Sequence, residues 1–97
     1  ALTLSSIGSV YNQMGEYELA LAHVQNALII QKENGDKKGL STSYDLVGDI
    51  FYNLGEYNKA LKYDLKSLNL AREMNMRRIL AERYKKISRS YYRLNRF

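Results

Sequence analysis

Gly15-Glu16-Tyr17, followed by Ala20-Leu21, returns forty residues later as Gly55-Glu56-Tyr57 and Ala60-Leu61. Working outward, Gly8 recurs as Gly48, Leu28 as Leu68 and Leu40 as Leu80. A third copy opens at Ala81, where Tyr44, Val47, Phe51, Leu54 and Tyr57 return as Tyr84, Ile87, Tyr91, Leu94 and Phe97. A fixed period of this length marks stacked supersecondary units, none of which can bury its apolar face alone. Such arrays bind partners far more often than they transform substrates.

Within one unit the apolar spacing is helical. Leu4, Ile7, Val10, Tyr11 and Met14 form one stripe, and Tyr17, Ala20, Leu21, Val24 and Leu28 a second. Gly15 separates them and suits a left-handed helix stop. Asn34-Gly35-Asp36 makes the next break: Gly35 closes one helix and Asp36 caps the following one. In the second unit Asn75 takes the left-handed position with no good cap after it, so a less well-defined turn is expected there. The reading is all-α, with five antiparallel helices at about 2–14, 17–34, 37–54, 57–74 and 77–94. They make repeat 1 (1–40), repeat 2 (41–80) and a half repeat (81–97) of a single domain. Gly8 and Gly48 fall inside helices, where glycine costs about 1 kcal/mol relative to alanine. That cost implies a close crossing with the helix that carries Ala20 or Ala60. Ser88 replaces the glycine in the half repeat.

These residues, with aromatics at 11 and 51 and Ala27 or Ser67 later in the unit, resemble the tetratricopeptide repeat across the whole chain. The resemblance implies an α–α superhelix, a right-handed solenoid whose inner groove is lined mainly by the first helix of each unit. Three features depart from the family pattern. The period is 40 instead of about 34, Lys32 and Arg72 stand where a proline is usual, and Asp64 occupies a position normally aromatic or aliphatic. The first two are similar to the longer variant of kinesin light chains, Pins-type polarity proteins and bacterial signalling proteins. Gly35-Asp36-Lys37-Lys38-Gly39-Leu40 most resembles the bacterial group, in which such arrays accompany histidine kinases, nucleotide cyclases or transcription regulators.

The expected function is therefore protein–protein interaction as a scaffold, in a sensory or regulatory segment of a larger bacterial signalling protein. The alternative is a regulatory region for an attached histidine kinase or nucleotide cyclase. The expected groove residues are Ser5, Ser9, Asn12 and Gln13 from the first unit and Asp45, Asp49, Tyr52 and Asn53 from the second. Glu82, Lys85, Arg89, Tyr92 and Arg93 come from the half unit. All lie off the apolar stripe. They would present polar, acidic and basic patches in succession to a peptide or helix of mixed charge. The Lys/Asn/Lys/Arg clamp of chaperone-binding members is absent: Ser5, Ser9, Glu82 and Lys86 stand in that register.

Composition removes several other functions. There is no cysteine, hence no disulfide or thiolate chemistry, which fits a cytoplasmic location. No apolar run approaches the roughly 18 residues of a membrane span. His23 is the only histidine, so no catalytic residue, cofactor or metal is expected; Asp45 and Asp49, four residues apart, read as solvated surface. Charge is uneven: residues 71–97 carry +7 and residues 1–70 carry −2. The basic stretch 72–96, with Tyr84, Tyr91 and Tyr92 interleaved, raises nucleic-acid binding as a competitor. It is disfavoured because Tyr84 and Tyr91 fall on the core stripe while the arginines circle the helix. Ala1 is not a starting methionine and the third copy stops halfway, so a piece of a longer array is expected. Its uncapped ends, Leu2 and Leu4 at one side and Ile87, Tyr91, Leu94 and Phe97 at the other, favour homo-oligomers.

Overall fold

The computed structural model describes residues 4–95, with side chains from Ser6 onward. The five helices are α1 (Leu4–Gln13), α2 (Tyr17–Asn34), α3 (Lys37–Asn53), α4 (Tyr57–Glu73) and α5 (Arg77–Leu94). No strand occurs among the described residues. Consecutive helices pack antiparallel, and α1 also touches α3, as a superhelical stack of helix pairs requires. The expected elements agree with these bounds to within a residue wherever both ends are described. Leu2 and Phe97 lie outside the described residues, as do Arg96 and the side chains of Leu4 and Ser5.

One turn design serves the four connections between helices. Gly15, Gly35 and Gly55 take φ of 80°, 65° and 79°, and Asn75 takes 55°. After each, an amide donates five residues back: Glu16 to Tyr11 (2.8 Å), Asp36 to Gln31 (2.9 Å), Glu56 to Phe51 (2.9 Å) and Met76 to Ala71 (3.0 Å). This left-handed stop satisfies carbonyls that the helix leaves open. The Asp36 carboxylate caps α3 by accepting from the Gly39 amide at 3.0 Å. The turn at Asn75 lacks a side-chain cap but keeps the same backbone bond, because asparagine tolerates the left-handed region.

The core runs between the pairs. Ala20, Val24, Leu28, Tyr44, Leu46, Val47 and Ile50 form one buried cluster. Beside it Tyr63 stacks between Tyr44 (centroids 6.1 Å apart) and Phe51 (5.6 Å), with Lys66 over the Tyr44 and Tyr63 rings at 5.4 and 5.3 Å. His23 is a packing residue, stacked on Tyr11 at 5.2 Å.

The helical glycines have the expected steric reason. A Cβ on Gly8 would lie 3.2 Å from the Ala20 carbonyl oxygen, and one on Gly48 would lie 3.3 Å from that of Ala60 and overlap the Asp64 carboxylate. Asp64 is wholly buried. Gly48→Ala should therefore destabilise the fold by roughly 1–3 kcal/mol through overpacking, against the helix-propensity gain. In an Asp64→Ala background most of that cost should vanish, read as the change in urea midpoint across the four proteins.

Candidate functional site

Because the units repeat every forty residues, side chains about forty apart face each other across neighbouring first helices. Asn53 Nδ2 of α3 donates to Asn12 Oδ1 of α1 at 3.1 Å. Between α3 and α5 the ladder is ionic. Lys86 Nζ donates to both oxygens of Asp45 at 2.9 and 2.8 Å and to Asp49 at 3.0 Å. Arg89 donates to Asp49 at 2.6 Å, and Arg83 stands 3.3 Å from Asp45. Further along, the Arg89 guanidinium lies 4.0 Å from the Tyr52 ring centroid, a cation–π contact. Arg93 Nε donates to the Tyr52 hydroxyl at 3.1 Å, and Tyr57 meets Tyr52 edge-on.

Two expectations are corrected here. Asp45 and Asp49 are not solvated surface: their side chains keep 14% and 26% of their exposure and are engaged by three cations of α5. Nor are an acidic and a basic patch offered side by side, since they are spent on each other. The cause is the forty-residue register, which brings 45 and 49 opposite 86 and 89. Of the expected residues, the fold joins Asn12 to Asn53, Asp49 to Arg89, and Tyr52 to Arg89 and Arg93. Ser9 is half-buried, while Gln13, Lys85 and Tyr92 are exposed; Ser5 lies outside the described side chains.

Sequence reasoning missed Lys86 and Arg83 as site residues. Arg83 is 4% exposed, with its Nε donating to Ser67 Oγ at 2.7 Å. The signal was available: Lys86 stands forty residues after Leu46, a core position. Electrostatics follow from partial burial. Burial pushes the Asp45 carboxyl above its usual range, only partly offset by the Lys86 hydrogen bond. Burial works against the Lys86 ammonium too, but the hydrogen bonds and fields of Asp45 and Asp49 outweigh it and raise its pKa. Of the basic stretch, Arg83, Lys86 and Arg89 are engaged in the ladder. Tyr84 and Tyr91, expected on the core stripe, are instead 53% and 48% exposed because no described helix covers the outer side of α5.

Helix pairs stacked in register, with a ladder of polar contacts across their first helices, make a helical-repeat array. The sequence profile of the tetratricopeptide repeat matches residues 1–73, so the chain belongs to that family, whose repeats are generally non-catalytic and serve protein–protein interaction. No curated protein sequence matches the chain. No described helix is long and apolar enough to cross a membrane.

The ladder predicts non-additive mutants. Lys86→Met leaves Asp45 and Asp49 short of a cation in a partly dry site. It should cost less than the roughly 3–5 kcal/mol of a broken fully buried pair, since Lys86 keeps 20% of its side-chain exposure. Asp45→Asn with Lys86→Met should be clearly milder than the sum of the single variants in urea unfolding.

Proposed function

We propose that the face lined by α1, α3 and α5 binds a peptide or helix of a protein partner, and that the partner segment is acidic. The observation that carries this is the charge left over on the ladder. Two carboxylates, Asp45 and Asp49, meet three cations, Arg83, Lys86 and Arg89, and Arg93 adds a fourth beside Tyr52, so cations outnumber acids. The accessible end of the row consists of Tyr52, the exposed Arg93 and the exposed Tyr92. A tyrosine with guanidinium groups beside it offers flat, low-entropy contact area and charge-assisted donors to carboxylates. This reading replaces the mixed-charge ligand expected from the sequence. The forty-residue period and the wording of residues 35–40 support a place in the sensory or regulatory segment of a larger bacterial signalling protein, in the cytoplasm. An attached histidine kinase or cyclase would then be its output, which sequencing the flanking reading frame would reveal.

Peptide display against the whole chain should enrich acidic sequences. Their affinity should fall about tenfold or more with Tyr52→Ala or Arg93→Glu and weaken between ~50 and ~300 mM salt. Binders indifferent to both variants would place the partner elsewhere.

A second reading rests on the outer face of α5. Tyr84 and Tyr91 there occupy the positions of Tyr44 and Phe51, which in α3 stack with Tyr63 of α4. We propose that this face takes up a second copy of the chain. Ile87 does not belong to that surface, contrary to expectation, because it is buried at 8% exposure; Leu94 is half-buried. Light scattering at ~100 μM should report dimer for the native chain and monomer for Tyr84→Glu/Tyr91→Glu.

A further inference from the structure

The chain contains the same helix–helix joint twice, with different chemistry. In the first joint, between α2 and α3, the fully buried Val24 and Ile50 share one apolar cluster with Leu46. Forty residues on, in the joint between α4 and α5, the corresponding positions are Asp64, Ser90 and Lys86. Asp64 and Ser90 are as inaccessible as the residues they replace, both at 0% exposure.

Asp64 is left unprovided for in this joint. Neither carboxylate oxygen has a hydrogen-bond partner, and the group is pressed against Gly48, leaving no room for a side chain there. An ionised carboxylate without donors is strongly disfavoured in such a place, whereas the neutral acid is tolerable. Two donors on the facing helix, Arg89 Nε and Ser90 Oγ, are likewise buried and without a hydrogen bond. They sit on α5, whose Arg89 and Lys86 also act electrostatically on Asp64.

We propose that the α4–α5 joint is a proton-operated hinge, closed while Asp64 is neutral and loosened when Asp64 ionises. The charged groups acting on Asp64 come from both helices packed on α4. Burial is the largest influence and raises its pKa; the Asp45 and Asp49 carboxylates of α3 raise it further, and Arg89 and Lys86 of α5 pull it down. Together they lift it from 3.8 to about 7. The sign follows by linkage. Between those values the unfolded or opened form has released a proton that the closed form still holds, so closure weakens as pH rises through the window and levels off above it. Because α5 supplies every cation of the α3–α5 ladder, loosening it also rearranges the face lined by α1, α3 and α5. The hinge itself requires no partner.

The test uses the whole chain. Carboxyl ¹³C NMR, with the Asp64 resonance assigned by its loss in Asp64→Asn, should show a titration near neutrality. Amide hydrogen exchange, corrected for intrinsic rates, should show the opening equilibrium of α5 growing on the order of tenfold or more relative to α2 between pH 5 and 8, since release of one proton on opening multiplies that equilibrium about tenfold for each pH step inside the window. Asp64→Asn should abolish that pH response, and Asp64→Val, which installs the residue of the first joint, should keep α5 protected throughout. The proposal is overturned if Asp64 titrates near 4, if α5 and α2 respond in parallel, or if Asp64→Asn responds to pH as the native chain does. The native titration decides even if a variant fails to fold.

Discussion

Everything in this molecule depends on how closely the two helices of a unit approach. Ala20 and Ala60 have no exposed surface, and a Cβ on the glycine opposite would come within 3.2 and 3.3 Å of their carbonyl oxygens. Small residues on both sides bring the backbones together, which lets the larger side chains further along each helix meet and exclude water. The helical glycines forfeit helix propensity to achieve this. Their spacing of forty residues then sets the position of every later contact.

On that shared frame the two joints are filled differently. Between α2 and α3 the contact is mainly apolar, with Ser43 and Gln31 as a polar pair beside it, and the apolar part stabilises in proportion to the area removed from water. Between α4 and α5, Asp64, Ser67, Arg83 and Ser90 are buried in its place, while Leu68 and Ile87 keep the apolar character of Leu28 and Val47. Polar groups in a low-dielectric joint act over short distances and depend on protonation and geometry. An apolar joint tolerates small shifts; a polar one is sensitive to them. The frame thus joins a firm first pair to a more conditional fifth helix.

The face lined by α1, α3 and α5 inherits this asymmetry. Toward α1 it is held by an amide pair, Asn12 with Asn53, while toward α5 it is cross-braced by ion pairs in which Lys86 bridges both aspartates. Because those charges satisfy one another, the acids that look prominent in the sequence are engaged within the fold, and Tyr52 with its attendant arginines lies at the margin of the row.

Helix limits, turns and the glycine–alanine crossing were legible in the sequence, because each rests on interactions within about five residues or on a strict repeat. Gly15, Gly35, Gly55 and Asn75 mark left-handed stops whatever surrounds them, and Asp36 needs only Gly39 to act as a cap. Which residues lie off the core stripe was legible too, since helical period alone separates them from the core. What they do was not. Asp45 and Asp49 read as free carboxylates until α5 lies across α3, and Lys86 and Arg83 read as surface cations until the same packing buries them. Asp64 could be recognised as out of place, but its missing partners and its pressure on Gly48 appear only once α3, α4 and α5 meet. The sequence by itself determined the elements and their period, since local stereochemistry and burial patterning act along the chain. The tertiary structure alone decided which charges are spent, which remain, and which proton is held inside, because charge and burial are properties of neighbours forty residues away.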